Sequence, residues 1–282
     1  MKITTKKIDL NINHTIVMGI LNVTPDSFFD GGIFNYYKYA INHVANMVDN
    51  GAEIIDIGGE STRPGANEVS LQEELDRVIP IIEAVTNRFE VWVSVDTSKP
   101  VIMNEAAKAG AHIINDVRSL HEDGALKVAA STGLIICIMH MLGQPKTMQQ
   151  SVNYKNVVEE VKQYLSCEIS RCESAGITKN NLIIDPGFGF GKNLSHNYQL
   201  LAKLNEFHTL GVPLLVGMSR KSMIGELLKI PIKKRLIGSI ACAVIAAMHG
   251  ARIIRVHDVK ETVQAMKIVQ AALLAREIDN YE

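Results

Sequence analysis

The sequence predicts an α/β fold, a single-domain (β/α)8 barrel of the TIM type, and three observations carry that expectation. Eight short, β-rich apolar runs alternate with helical patterns along the 282 residues. Polar residues stand at or just past the carboxyl end of each run. No low-complexity or Pro/Ser-rich linker divides residues 1–282, and a barrel of roughly 250 residues fits this length as one unit. A doubly wound open sheet is the competing α/β architecture, and the chain lacks the nucleotide fingerprint that usually accompanies it.

In chain order, the first strand is expected at Thr15–Leu21, followed by a long Gly-, Pro- and Asp-rich loop over Val23–Tyr36. The second, Glu53–Ile57, leads into a similar loop over Gly58–Val69, and Ser70 with Glu73 reads as a capping box opening the next helix. Both loops have the composition of mobile lids. Val91–Val95 is the third strand; Ser98 before Lys99-Pro100 starts a helix that closes at Gly110. The remaining strands are His112–Ile114, Leu134–Met139, Leu182–Ile184, Pro213–Val216 and Arg252–Val256. Late in the chain, Leu236–Met248 is apolar on nearly every side, unlike an ordinary barrel helix with a one-sided stripe.

The strand-end residues are Asn22, the run Gly58-Gly59-Glu60-Ser61-Thr62-Arg63, Asp96, Asn115-Asp116, His140, Asp185, Ser219-Arg220-Lys221, and Arg255 with His257. In a barrel these ends converge on the face where active sites are built. A lone Asp at a strand end is commonly a cap or turn former. Asp56 and Asp116 are read that way, because a neighbour of each is expected to face the cavity; for His140, capping or loop packing stands level with ligand contact.

Composition narrows the function classes. Hydrophobic residues make up 47% and charged residues 21%, with a net charge of -1, which is not the electrostatic footprint of a nucleic-acid binder. No run approaches the roughly 18 apolar residues of a membrane span, so a cytoplasmic location is expected, with neither nucleic acid nor membrane as partner. Cys137, Cys167, Cys172 and Cys242 form no CxxC pair and read as free thiols. The Asp and His candidates come singly from separate strands, an unpromising pattern for a protein-built transition-metal cage.

The stretch "IIDPGFGFGKN", residues 183–193, passes from a buried strand into a glycine-rich turn. It is no Walker loop, since Gly191-Lys192 is followed by Asn193, and it lacks the Rossmann spacing. Asp185 at its start can accept two parallel N–H bonds from a guanidine-like edge, such as the amino-pyrimidinone of guanine or pterin. Asn115 suits neighbouring mixed positions, Lys221 a carbonyl oxygen, and Phe190 a flat ring. Arg255, His257 and Asn22 suit an oxyanion or diphosphate clamp, with the Asn carbonyl suited to a Mg2+ ion arriving with diphosphate.

Seven segments in order, "MGILNVTPDSFFDGG", "DIGGESTRPGA", "SVDTSKP", "IINDV", "DPGFGFGKN", "GMSRKSMIG" and "IIRVHDVKET", resemble the bacterial dihydropteroate synthase family across nearly the whole chain. The resemblance implies a transferase that joins p-aminobenzoate to 6-hydroxymethyl-7,8-dihydropterin diphosphate, with Mg2+ as cofactor and by a dissociative route. It implies that Asp96, Asn115, Asp185 and Lys221 hold the pterin, and that Asn22, Arg255 and His257 hold the diphosphate and its Mg2+. Thr62, Arg63, Pro64, Phe190 and Ser222 would shape the aminobenzoate site, and Lys221, Asp96, Arg255 and His257 would carry the catalysis. One departure is Phe29, which stands where the family usually has a small polar residue.

Two other readings share the fold. A related pterin-binding barrel passing a methyl group from a methyl-folate to a corrinoid would not need the Lys221, Arg255 and His257 set, and a non-catalytic pterin-binding paralogue would be expected to have eroded first loops. For Leu236–Met248, one reading is a helix sandwiched beneath a segment near Met223–Leu228. The other, which the resemblance favours, is a homodimer interface shared with a final helix over Val259–Arg276.

Overall fold

The computed structural model describes residues 2–4, 9–23, 32–60, 69–143, 148 and 152–278. A short antiparallel hairpin, β1 (Lys2–Thr4) and β2 (Asp9–Asn11), precedes the barrel. The repeating unit then begins with β3 (Ile16–Asn22), α1 (Gly32–Asp49), β4 (Ile54–Gly58), α2 (Leu71–Arg88), β5 (Trp92–Asp96) and α3 (Pro100–Lys108). It continues through β6 (Ile113–Asp116), α4 (Ala125–Thr132), β7 (Ile135–Met139), α5 (Val157–Ser174), β8 (Leu182–Asp185) and α6 (Leu194–Ala202). The last quarter holds β9 (Leu215–Val216), α7 (Ser222–Leu228), α8 (Leu236–Met248), β10 (Ile253–Val256) and α9 (Val259–Ile278).

Every barrel pairing is parallel, in the order β8-β7-β6-β5-β4-β3-β10-β9. A parallel bridge between Ile184 and Leu214, with the Ile184 amide donating to the Pro213 carbonyl at 3.0 Å, joins the two ends into a barrel. All eight predicted strands are present within a few residues of their expected limits. The amino-terminal hairpin is an addition to the predicted elements. It delivers Ile12, fully buried, to the apolar cluster inside the barrel.

Strand alternation splits the core in two. Ile16, Met18, Ile54, Trp92, Ile113, Ile135, Cys137, Ile183, Leu215 and Ile253 fill the barrel interior together with Ile12. Residues of opposite parity, such as Val17, Ile55, Val93, Ile114, Ile136, Ile184 and Ile254, pack outward against the helices.

The capping box expected at α2 is only half formed. Ser70 Oγ accepts from the Glu73 amide at 3.3 Å, but the Glu73 carboxylate is taken by Arg77 one turn further on. An ion pair outcompetes the return bond to the cap. A complete box lies at α6, where Asn193 and His196 exchange side-chain bonds with each other's backbone amides. At α3, Pro100 occupies the first turn as predicted, while Ser98 Oγ donates to Asp116 Oδ1 at 2.5 Å.

Candidate active site

Alternation also builds the site. Climbing each strand by two residues from the apolar interior leads from Ile54 to Asp56, from Trp92 through Ser94 to Asp96, from Ile113 to Asn115, from Ile183 to Asp185, and from Ile253 to Arg255. The barrel therefore changes from hydrocarbon to charge over one layer, at the carboxyl-terminal mouth.

Arg255 is the centre of that layer. Its Nε donates to Asp56 Oδ2 at 2.5 Å and its Nη2 to Asp96 Oδ2 at 2.7 Å. Asn115 Nδ2 donates to the same Asp56 oxygen at 3.3 Å. The expectation that Asp56 is a turn former is thus corrected. Asp56 has the parity of Ile54 and Gly58, so it points inward, fully buried, and serves as the counter-ion of Arg255. Asp116 behaves as expected, accepting from the Arg118 and Leu120 amides and from Ser98.

Burial dominates the electrostatics. The Asp96 carboxyl is raised to about 7, first by desolvation and then by Asp56, Asp116 and Glu74, while Arg255 opposes the rise. Burial likewise raises Asp185, against Lys221, the Gly187 amide, Lys192 and Arg255. Lys221 is lowered to about 8 by burial, with Asp185 holding its proton on.

Lys221 owes its place to its neighbour. Arg220 adopts a left-handed conformation, φ 59°, and turns outward to Asp258, Nε to Oδ2 at 2.9 Å. Its backbone is gripped by Ser239 Oγ and by Arg235. The next residue is thereby aimed inward: Lys221 Nζ donates to the Phe188 carbonyl at 2.5 Å and lies 4.6 Å from the centre of the Phe190 ring. His257 is held by Ser219, whose Oγ lies 3.0 Å from Nδ1 and accepts from the His257 amide at 3.2 Å.

Asp185 Oδ1 accepts from the Gly187 amide at 2.7 Å. The loop that follows runs through left-handed conformations at Gly187, Gly189 and Gly191, and a Cβ at Gly187 would stand 1.9 Å from the His140 carbonyl oxygen, so no side chain fits there. His140 is a packing residue, edge-on to Tyr164 with ring centres 4.9 Å apart and with Lys192 Nζ 2.9 Å from its Nδ1.

Of the predicted site residues, Asp96 and Arg255 are bonded directly and Asn115 joins them through Asp56, while Asp185, Phe190 and Lys221 gather around the loop after β8. Asn22 is half-buried at the end of β3, in register with Gly58, and His257 is half-buried just past β10. Ser222 is exposed at the first turn of α7. Thr62, Arg63, Pro64 and Phe29 lie outside the described residues. The structure adds Asp56 and Lys192 to the predicted set, and it gives Ser219, a strand-end residue without an assigned role, the task of holding His257. Strand parity identifies the first, whereas no periodic signal marks the other two.

The family model described as "Pterin binding enzyme" matches residues 18–257. The chain is 63% identical to the dihydropteroate synthase of Escherichia coli (strain K12) over 282 residues, all of both chains. It is 54% identical to that of Haemophilus influenzae over 271 residues, 96% of this chain and 98% of the relative. The Yersinia pestis dihydropteroate synthase with a sulfonamide drug complex superposes with a TM-score of 0.92 at 61% identity, covering 96% of this chain and 99% of that one. The Xanthomonas albilineans enzyme with 4-aminobenzoic acid gives 0.89 at 46% identity, covering 94% and 95%.

Proposed function

The chain belongs to the pterin-binding enzymes, among the dihydropteroate synthases, and from that premise we propose how the barrel mouth divides the work. The enzyme condenses 6-hydroxymethyl-7,8-dihydropterin diphosphate with p-aminobenzoate, giving 7,8-dihydropteroate and diphosphate in folate synthesis. The methyl-transfer and non-catalytic readings find no support in these relatives.

The observation that supports the division is the split of the mouth into two charged clusters. On one side Asp185, oriented by the Gly187 amide and flanked by Lys221 and Phe190, offers a carboxylate, an ammonium and an apolar wall to the pterin ring. On the other, Asp56, Asp96, Arg255 and Asn115 form a bonded group, and Asp96 with Asn115 completes the ring's hydrogen-bonding edge. Arg255 reaches both halves of the substrate: it anchors the pterin-side carboxylates and directs positive charge to the leaving group, with His257 beside it. Loss of diphosphate leaves positive charge on the pterin methylene, which the interior carboxylates stabilise; the aniline nitrogen then attacks that carbon and surrenders a proton. Thr62, Arg63 and Pro64, with Phe190 and Ser222, would receive the aminobenzoate.

Asn22 offers one amide oxygen at the rim, a donor that suits a Mg2+ ion carried mainly by diphosphate and water. Such an ion, when bound, neutralises charge on the departing diphosphate. We read the enzyme as cytoplasmic; no helix among the described residues is long and apolar enough to cross a membrane. We read it also as a homodimer, joined through the exposed faces of α8 and α9.

Diphosphate release measured with each substrate omitted in turn tests the reaction. Release should require the pterin diphosphate and rise sharply with p-aminobenzoate; release indifferent to p-aminobenzoate would overturn it.

A further inference from the structure

The loop after β8 carries a lysine that the reaction does not use. Lys192 is 3% exposed, and its Nζ lies 2.9 Å from the Gly187 carbonyl, 3.0 Å from the Phe190 carbonyl and 2.9 Å from His140 Nδ1. These three acceptors take the three hydrogens of an ammonium. His140 is held down at about 2 by burial and by Lys192, so its ring is neutral, and in the tautomer protonated at Nε2 its Nδ1 accepts from Lys192.

Two of these bonds land on residues that touch the site. Gly187 gives its carbonyl to Lys192 and its amide to Asp185 Oδ1. Phe190 gives its carbonyl to Lys192 and its ring to Lys221. The loop already has neutral ties, since Tyr154 Oη donates to the Gly191 carbonyl at 2.9 Å and the Gly189 amide donates to Asn197 Oδ1 at 2.7 Å. What Lys192 adds is charge, and burying an ammonium is costly unless it is hydrogen-bonded and faces an opposite charge.

We propose that Lys192 is a positioning residue of the pterin site: its buried ammonium shapes the Gly187–Phe190 floor and supplies positive charge to the Asp185 carboxylate. This deepens the reading that Asp185 holds the pterin, and rests on it. The groups facing Asp185 are Lys192 from its own loop, Lys221 from the turn before α7, Arg255 from β10, and Cys137 and His140 from and after β7. The Cys137 thiol is pushed far up by burial and stays neutral. Lys192, Lys221 and Arg255 all favour the carboxylate, against a burial that raises it; burial pushes the Lys192 ammonium well below the ordinary lysine value, Asp185 opposing and Lys221 adding to the fall. Removing Lys192 therefore raises Asp185 further, and the carboxylate protonates at higher pH.

The test is calorimetric binding of 6-hydroxymethylpterin, without diphosphate, between about pH 5 and pH 8. Lys192→Met should weaken binding about ten-fold at neutral pH, the loss of a charged hydrogen bond, and should move the acidic fall-off to higher pH. Tyr154→Phe loosens the same loop without removing charge and should leave the fall-off in place. Circular dichroism checks the fold; if Lys192→Met does not fold, Lys192→Arg keeps the charge with altered geometry and should lose affinity at an unmoved fall-off. An Arg variant with a shifted fall-off, or a Met variant that binds like the parent at every pH, overturns the proposal. Asp185→Asn separates the two levels: if it abolishes binding while Lys192→Met changes nothing, only the role of Lys192 falls, and if it binds like the parent, the pterin reading falls as well.

Discussion

Arg255 Nε donates to Asp56 Oδ2 at 2.5 Å across the barrel interior, joining two strands, β10 and β4, that are not hydrogen-bonded neighbours. The pair closes the apolar interior beneath the mouth, and Asp96 shares the same guanidinium. One cation thus compensates two carboxylates that would otherwise repel each other.

Arg255→Ala should therefore do more than weaken a diphosphate contact. It leaves Asp56 and Asp96 buried without their cation, which costs roughly 3–5 kcal/mol when such a pair is broken. Binding of both the pterin diphosphate and the diphosphate-free pterin should fall, and the melting temperature should drop. His257→Ala, which loses a side-chain bond to the neutral Ser219, should spare the diphosphate-free pterin and the melting temperature. Equal behaviour of the two variants in calorimetry would remove the distinction.

Asp56→Ala should be nearly as damaging, though no ligand role is assigned to it. It deprives Arg255 of its fully buried partner and frees Asn115 Nδ2, so a loss of about 3 kcal/mol in stability and a reduced kcat/KM are expected. Asp56→Asn keeps an acceptor and should be milder in stability; urea unfolding of the two variants checks the order.

Protonation of Asp96 sets a pH dependence. Its folded value, about 7, lies above the ordinary carboxylate value of 3.8. The protonated form is thus favoured by folding, so the contribution of Asp96 is fully present below about pH 4 and lost as pH rises through about 7. Asp96→Asn removes that dependence. Relative to the parent, the variant should gain stability progressively from about pH 4 to pH 7, by at most roughly 1.4 kcal/mol for each pH unit crossed, while turnover collapses. Thermal melts that show a pH-independent difference would contradict this.

The strands were legible because apolar β-rich runs ended in polar residues at every repeat, and the polar ends of Asp96, Asn115, Asp185 and Arg255 share the parity of the interior isoleucines and Trp92. The same parity, counted from Ile54, places Asp56 inside; reading it as a turn former overlooked the count. The roles of Lys192 and Ser219 were not legible, since both depend on atoms brought together by loops with no period. The half-formed box at Ser70 failed for a similar reason: the sequence shows Glu73 within reach of the cap, but not that Arg77 competes for it.

Assembly turns on α8. Its inner face buries Ser239, Cys242, Ala243, Ala246 and Ala247, and Gly238 lies against Ile224 of α7, close enough that a Cβ would meet Cγ2 at 2.4 Å. The Met223–Leu228 segment therefore touches α8 near its start but leaves its outer face uncovered. Ile237 remains 82% exposed, with Ile245 and Met248 also open, and α9, packed against α8, exposes Ile268 at 73% and Leu274. Exposed aliphatics on two adjacent helices form the kind of surface that a two-fold interface buries, at roughly 25 cal/mol per Å2 of apolar area. The barrel mouth lies at the carboxyl ends of the strands, apart from these outer helix faces, so each active site would be built from one chain. Ile237→Asp combined with Ile268→Asp should convert the proposed dimer to a monomer in multi-angle light scattering at micromolar concentration, with 6-hydroxymethylpterin binding retained. A parent protein that runs as a monomer, or a double variant that stays dimeric, would place the interface elsewhere or remove it.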